Sequence, residues 1–429
     1  MNINSVSLYT FGCRLNQSET AVVQRTFEAQ GISVVGIDHP ADVVVVNTCT
    51  VTENGDADTR RLVNRINRLN PHARIALIGC QAQIQKKKLA ALPSVRWVIG
   101  NARKMDVARI IQEDPGNGQP QVITPAISRD AFTVPLAGID RRHTRANIKI
   151  QDGCDFFCSF CEIPYARGRA RSRKFDDIAR EARALVRAGH RELVVTGINV
   201  GTYRNDGKTL LDVVDRLEQI SGLERVRISS IEPTTIPAQL LRKMSLKSKL
   251  CRHLHIPLQS GHPQILRAMK RKYSAEEFLD YIRKAKDTVN GLCIGTDIIV
   301  GFPGETEERF HATQTALKEW PIDYAHVFSY SRRHMAKSQK LSENISASTK
   351  ALRSRALREL SRRKRELFLS AQVGSLQQVL FEQNKQGYWI GLTDHYCQVQ
   401  VRSEKILNNC YLSVQINKTD GKALIGTLA

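Results

Sequence analysis

No run of about 18 apolar residues occurs in the chain, so no segment is expected to cross a membrane. Its first residues, Met-Asn-Ile-Asn-Ser, lack the charged-then-apolar layout of a secretory leader. Acid is scarce: 42 Asp and Glu stand against 64 Lys and Arg, a formal charge of +22 with a pI near 9.8. Such an excess of base points to a polyanionic partner, most simply nucleic acid, and away from a basic one. The ten cysteines include a close-set run that needs free thiolates, which implies a reducing cytoplasm rather than a disulfide framework. At 429 residues the chain has room for roughly two or three domains and a buried core.

That close-set run is Gln-Asp-Gly-Cys-Asp-Phe-Phe-Cys-Ser-Phe-Cys, with thiols at Cys154, Cys158 and Cys161. Three such thiolates can hold three corners of one iron–sulfur cube, and no fourth cysteine follows nearby to fill the last corner. Zinc calls for four ligands, commonly as two pairs, and no second pair lies near; three ordinary core thiols are the remaining alternative. The run resembles that of the radical S-adenosylmethionine (SAM) enzymes. The resemblance implies that the open iron chelates the amino and carboxylate groups of SAM, and that an electron from the cluster cleaves it to a deoxyadenosyl radical.

The expected fold is α/β throughout the first two parts. Residues 1–115 alternate strands and helices as parallel βα units do, with strands at Val6–Phe11, Val43–Val46, Arg74–Ile78 and Val95–Ile99. Cys13, Cys49 and Cys80 each follow a strand end, where open parallel sheets form their ligand crevice. A second cluster or metal there competes with three buried small residues. Residues 116–145, rich in Pro and Gly, read as a linker. Residues 146–345 alternate again, with strands at Ala146–Gln151, Glu192–Thr196, Val226–Ser229, His253–Pro257, Cys293–Val300 and Tyr324–Phe328. That pattern predicts a partly open (β/α) barrel whose chemistry sits on the loops at the strand C-termini. The turns Gly197-Ile198-Asn199 and Gly301–Glu305 end two of those strands, and glycine lets backbone approach a ligand. His253 and His255, two apart on one strand, read as a packed pair. A helix over 346–371 should turn Leu352, Ala356, Leu360 and Leu367 inward, and it carries eight bases and one acid between Lys350 and Arg365. Residues 372–429 read as a small β-barrel of a kind that often binds oligonucleotides.

Beyond the cysteine run, Thr10–Gln17, Asn47–Thr52, Gly79–Gln83, Pro164 with Arg167-Gly168-Arg169, His255–Gly261 and Gly295–Thr306 resemble the radical SAM methylthiotransferases. The resemblance implies an N-terminal three-cysteine domain, a radical SAM core and a C-terminal TRAM-like barrel. It further implies two [4Fe-4S] clusters, one on Cys13, Cys49 and Cys80 and one on Cys154, Cys158 and Cys161. SAM would serve twice per turnover, to methylate a sulfur and as the radical source, with contacts at Gly197, Ile198, Asn199, Gln259, Ser260, Gly301 and Glu305. The expected partners are the tRNA anticodon loop and an electron donor such as flavodoxin or ferredoxin, with the protein a monomer away from membranes. Arg60-Arg61, Arg68 and Asn70-Pro71 favour the branch that adds a methylthio group to C2 of N6-threonylcarbamoyladenosine. The alternatives are N6-isopentenyladenosine, a ribosomal-protein aspartate, or a non-enzymatic iron–sulfur redox sensor that binds RNA. Phosphate contacts are expected from Arg167, Arg169, Arg171 and Arg173 and from Arg358, Arg362 and Arg363. Two positions depart from the family pattern: Glu162, where an apolar residue is usual, and Arg333-His334-Met335, where Pro-Gly-Thr is usual.

Overall fold

The computed structural model describes residues 3–50, 53–114, 116, 118–139, 143–246, 248–342 and 345–429; Val51 and Thr52 of the second motif lie outside them. The N-terminal part is a six-stranded parallel sheet in the order Ser33–Val35, Ser5–Thr10, Val43–Thr48, Arg74–Gly79, Val95–Ile99, Gln121–Ile123. Every residue of Val43–Thr48 is buried, as a central parallel strand covered on both faces requires. The two outer strands escape the sequence reading because each is only three residues long. Gln121–Ile123 falls in the segment expected to be linker and pairs in register with Trp97–Ile99.

The middle part holds two three-stranded parallel sheets, Arg225–Ile228 beside Glu192–Thr196 beside Arg145–Lys149, and His253–His255 beside Cys293–Val300 beside Tyr324–Ser329. Single bridges, Val226 to Leu250 and Ser230 to His255, join them, so the barrel closes on one side and stays open on the other. Alternation decides what fills it. Ala146, Ile148, Leu193, Val195, Val226, Ile228, Leu254, Ile294, Ile298 and Val327 face the surrounding helices in one apolar core. The opposite face carries Asn147, Lys149, Glu192, Arg225, Arg227, His253, His255, Asp297, Tyr324 and His326. Branched apolar side chains pack the interior of a closed eight-stranded barrel; this one is lined with polar groups instead.

Helix Ala347–Ser370 lies against Tyr324–Ser329. Its inward face corrects the expected one in part: Ala356 and Leu360 pack on the core as expected, beside buried Arg353, Ser354, Leu357 and Ser361, while Leu352 and Leu367 stand 62% and 71% exposed. Short serines allow the close approach, and Ser361 Oγ both accepts from Ala325 N (2.8 Å) and donates to Ala325 O (3.0 Å). The C-terminal part is a closed five-stranded barrel, as expected, its last strand Leu424–Leu428. It meets the core at the strands' N-terminal end, where Arg225 donates to Leu392 O and Arg227 to Thr393 O and Asp394 O. Among the described residues no helix is long and apolar enough to cross a membrane.

Candidate iron–sulfur and SAM site

The loop 153–162 leaves the first core strand and doubles back on Arg171-Ser172. Gly153 holds φ +70°, and a Cβ there would lie 2.0 Å from Arg169 O, so the turn admits only glycine. Each of the three sulfurs that follow accepts a hydrogen bond: Cys154 from Phe156 N (3.4 Å), Cys158 from Arg271 Nη1 (3.1 Å) and Cys161 from Ile163 N (3.4 Å). Burial, opposed by the Phe156 amide and joined by repulsion from Cys158, pushes Cys154 up to about 11. Burial likewise raises Cys158 and Cys161. Three thiols, one buried and two half-buried, that repel one another as thiolates and are each already solvated by a donor, are a site that a multivalent cation completes. Arg271 is in turn held by Glu232 and by Tyr273 Oη at 3.0 Å.

In the N-terminal sheet, Thr48 pairs with Gly79 and Thr10 with Asn47, so Cys49 and Cys80 emerge side by side with Cys13 one strand over. Gly12, at φ +90°, packs its backbone on Cys49: an added Cβ would sit 2.7 Å from that sulfur. Cys80 accepts from Arg167 Nε at 3.2 Å and from Asn101 Nδ2 at 3.6 Å. Arg167 belongs to the core, six residues past Cys161, and is wholly buried. It also reaches Glu19 and Asp152 at 2.9–3.0 Å and Asn16 at 2.6 Å. Lys104 contacts Glu19, and Lys149 contacts Glu19 (2.7 Å) and Asp152 (2.6 Å), with Arg171 approaching Asp152 from the rim at 3.3 Å. Buried Arg167, Lys104 and Lys149 therefore outnumber Glu19 and Asp152. Burial, then the Arg167 cation, pushes Lys104 down to about 8. Arg167 Nε lays that surplus charge against the Cys80 sulfur, which fits a role as a cluster ligand. No three His, Cys, Asp or Glu side chains among the described residues close around a single ion; a cube holds one thiolate per corner iron and spreads its ligands wider.

The remaining expected residues have internal partners as well. Ile198 N and Asn199 N both donate to Gln151 Oε1 at 2.9 Å, and Gly197 packs on the same side chain. Ser260 Oγ meets Thr313 Oγ1 (3.1 Å). Glu305 accepts from Gly301 N (2.9 Å) and Arg353 (2.7 Å), and its Oε2 is buried without a partner. Gln259 sits at φ +70° with Oε1 likewise buried and unpartnered. Sequence reading passed over Arg271, Asn101 and the pair His255 Nε2–Asp297 Oδ1 (3.0 Å), beside which His326 stacks. His253 and His255 are both buried and both set their rings against Tyr324, and His253 also bonds Tyr324 Oη at 2.8 Å. The arginine strip is also corrected: Arg167 and Arg173 are buried, Arg171 is nearly so, and Arg169 pairs with Asp155. A carboxylate partner for each of the four leaves little there for phosphate.

Residues 148–317 match the model of the radical SAM superfamily, and residues 5–100 match that of an uncharacterized protein family, UPF0004. The chain is 34% identical over 429 residues to the threonylcarbamoyladenosine tRNA methylthiotransferase MtaB of Bacillus subtilis, covering 96% of this chain and 94% of that one. It is 35% identical to the protein of the same name from Aquifex aeolicus, covering 92% and 96%. To the tRNA-2-methylthio-N(6)-dimethylallyladenosine synthase of Thermodesulfovibrio yellowstonii it is 30% identical, covering 100% and 99%. Among solved structures, its fold is like that of TsrM, a radical SAM methyltransferase from Kitasatospora setae with cobalamin and a [4Fe-4S] cluster bound. The TM-score is 0.54 at 18% identity, over 77% of this chain and 76% of that one. Full-length likeness at this level, on a chain that sets one cysteine triad on a parallel sheet and another at a barrel rim, places it in a family: the protein belongs to the radical SAM methylthiotransferases.

Proposed function

We propose that this enzyme adds a methylthio group to C2 of N6-threonylcarbamoyladenosine next to the tRNA anticodon. The observation that carries the reading is Arg167, which donates to Cys80 of one triad from the segment that carries the other, so both triads serve one chamber. The substrate follows the two relatives of 34% and 35% identity, whose names carry that nucleoside. Cys154, Cys158 and Cys161 would hold one [4Fe-4S] cluster and Cys13, Cys49 and Cys80 a second. Bound there, and with two SAM molecules per turnover, these supply a carbon-centred radical and a methylated sulfur.

The chain's own residues prepare the site. Arg271 and Arg167 place a cation against one thiolate of each triad. Gln259 offers an unpartnered amide oxygen, and the turns at Gly197–Asn199 and Gly301, braced by Gln151 and Glu305, with Ser260 beside Gln259, shape the backbone edge offered to SAM. His255 and Asp297 present a hydrogen-bonding edge to a base inside the barrel. An adenine leaves its stack more readily from an anticodon loop than from a duplex, and the net charge of +22 favours the phosphates around it. The reading makes the protein a cytoplasmic monomer that draws electrons from a flavodoxin or ferredoxin.

Mass spectrometry of tRNA nucleosides from cells lacking the gene tests this. Loss of 2-methylthio-N6-threonylcarbamoyladenosine is expected. Its persistence with loss of the dimethylallyl analogue gives the substrate to the other branch, which the relative of 30% identity supports. Persistence of both refutes a tRNA substrate.

A further inference from the structure

The two departures from the family pattern, Glu162 and Arg333, are 171 residues apart in sequence and in contact in the fold. Arg333 Nε donates to Glu162 Oε2 at 3.2 Å, and each residue is less than 5% exposed. The second edge of the guanidinium reaches the N-terminal part: Nη2 donates to Thr50 Oγ1 and to Asp56 Oδ2, each at 2.8 Å. Thr50 Oγ1 in turn donates to Glu162 Oε2 at 3.2 Å, and Met335 N to Glu162 Oε1 at 2.7 Å.

What these residues adjoin gives the contact its meaning. Glu162 directly follows Cys161, and Thr50 directly follows Cys49. Arg333 lies on the strap beyond the last core strand, and that strap is pinned to the cysteine loop where Ser338 N donates to Ser159 O at 2.8 Å. One carboxylate therefore ties the ligand loop of each triad to the other and to the strap. A buried ion pair seldom adds net stability over apolar packing of similar volume, so stability alone gives little reason to keep charge at position 162. Geometry gives a better one. The reacting carbon must be reached from both triads, and misplacing reacting groups by an ångström can cost on the order of 100-fold in rate.

We propose that Glu162 and Arg333, with Thr50 and Asp56, form a positioning clamp that sets the spacing between the two cluster sites. The clamp rests on the two-cluster reading, and it acts on transfer of the methylthio group rather than on SAM cleavage.

The test uses full-length, anaerobically reconstituted protein with SAM and substrate tRNA, comparing wild type with Glu162→Leu and Glu162→Gln. Three quantities are read: iron content, 5′-deoxyadenosine formed per methylthio group transferred, and the distance distribution between clusters by pulsed electron paramagnetic resonance. Glu162→Leu should keep its iron and cleave SAM at close to the wild-type rate. Its methylthio transfer should fall about 10- to 100-fold, and its inter-cluster distances should broaden. Glu162→Gln, isosteric and still able to accept from Met335 N, should recover part of both. Eight irons with an unchanged product ratio and distance distribution overturn the clamp alone, as does a parallel loss of cleavage and transfer in both variants. A wild type holding only about four irons overturns the two-cluster reading and the clamp with it.

Discussion

Replacing Arg167 with Met asks how much one guanidinium does at the junction between the triads. The side chain is wholly buried and donates to Cys80, Glu19, Asp152 and Asn16. Its removal does not strand the two carboxylates, because Lys104 still contacts Glu19 and Lys149 still contacts both. The loss is of charge-assisted hydrogen bonds and of a closely packed planar group. With both carboxylates still paired, losing those charge-assisted hydrogen bonds costs about 1.5–3 kcal/mol, a sizeable share of the roughly 5–15 kcal/mol typical of a folded domain. Urea unfolding of the apo-protein should show a lower midpoint with an unchanged slope. A second effect is specific to the site. Cys80 loses the cation beside its sulfur while Cys154, Cys158 and Cys161 keep Arg271, so iron on reconstitution should fall towards half and SAM cleavage should survive. Arg167→Lys, which keeps the charge without the fork, should fall between. A destabilisation under about 0.5 kcal/mol, the scale of an ordinary surface change, with full iron loading would refute this account of the junction.

Three further outcomes follow from the same geometry. Cys158→Ala should lose about half the iron and all 5′-deoxyadenosine formation, whereas Cys49→Ala should lose methylthio transfer and keep SAM cleavage; both are read by iron assay and chromatography. Although burial opposes it, Arg227, Arg225 and Arg145 hold Glu192 down at about 2, against an ordinary 4.5. Because the folded-state value is the lower one, that pairing contributes roughly 3 kcal/mol above pH 4.5, and the contribution is lost as pH falls towards 2. Acid unfolding of wild type but not of Glu192→Gln should therefore steepen in that window. Neutralising Arg358, Arg362 and Arg363 should weaken tRNA binding and flatten its salt dependence without changing the base modified. Arg362 and Arg363 already share Glu359, so the effect on the salt slope should be less than three full contacts.

The broad fold was legible because its signals are local. Four consecutive valines, glycine-marked strand ends and a helix–strand rhythm give the parallel sheets, and three cysteines past three strand ends reveal a shared edge once the strands are seen to be neighbours. What escaped the sequence depends on partners distant in the chain. The strip Arg167–Arg173 looks like an RNA surface as a string of letters, yet its charges are matched by Glu19, Asp152, Asp155, Asp177 and Glu181. The face of the long helix was half legible for a related reason: apolar spacing found Ala356 and Leu360 but also marked the exposed Leu352 and Leu367, while serines and an arginine gave the closer fit to the neighbouring strand. Glu162 and Arg333 each looked like an isolated anomaly, and only the fold makes them one feature.

The docking of the C-terminal barrel bears on how truncations are to be understood. Its 392–394 segment stoppers the lower mouth of the core, where Arg225 and Arg227 spend donors on its carbonyls and Arg252 binds Asp394 at 2.8 Å. A chain ending before Leu376 would lose more than a separate small barrel. It would open the floor of the reaction chamber to water, hydrate Glu192 and Arg227, and remove Tyr396 from beside His253. Loss of activity in such a truncation would thus report a flooded barrel as much as a lost grip on RNA. The barrel domain is part of the vessel in which a reactive radical must be kept dry.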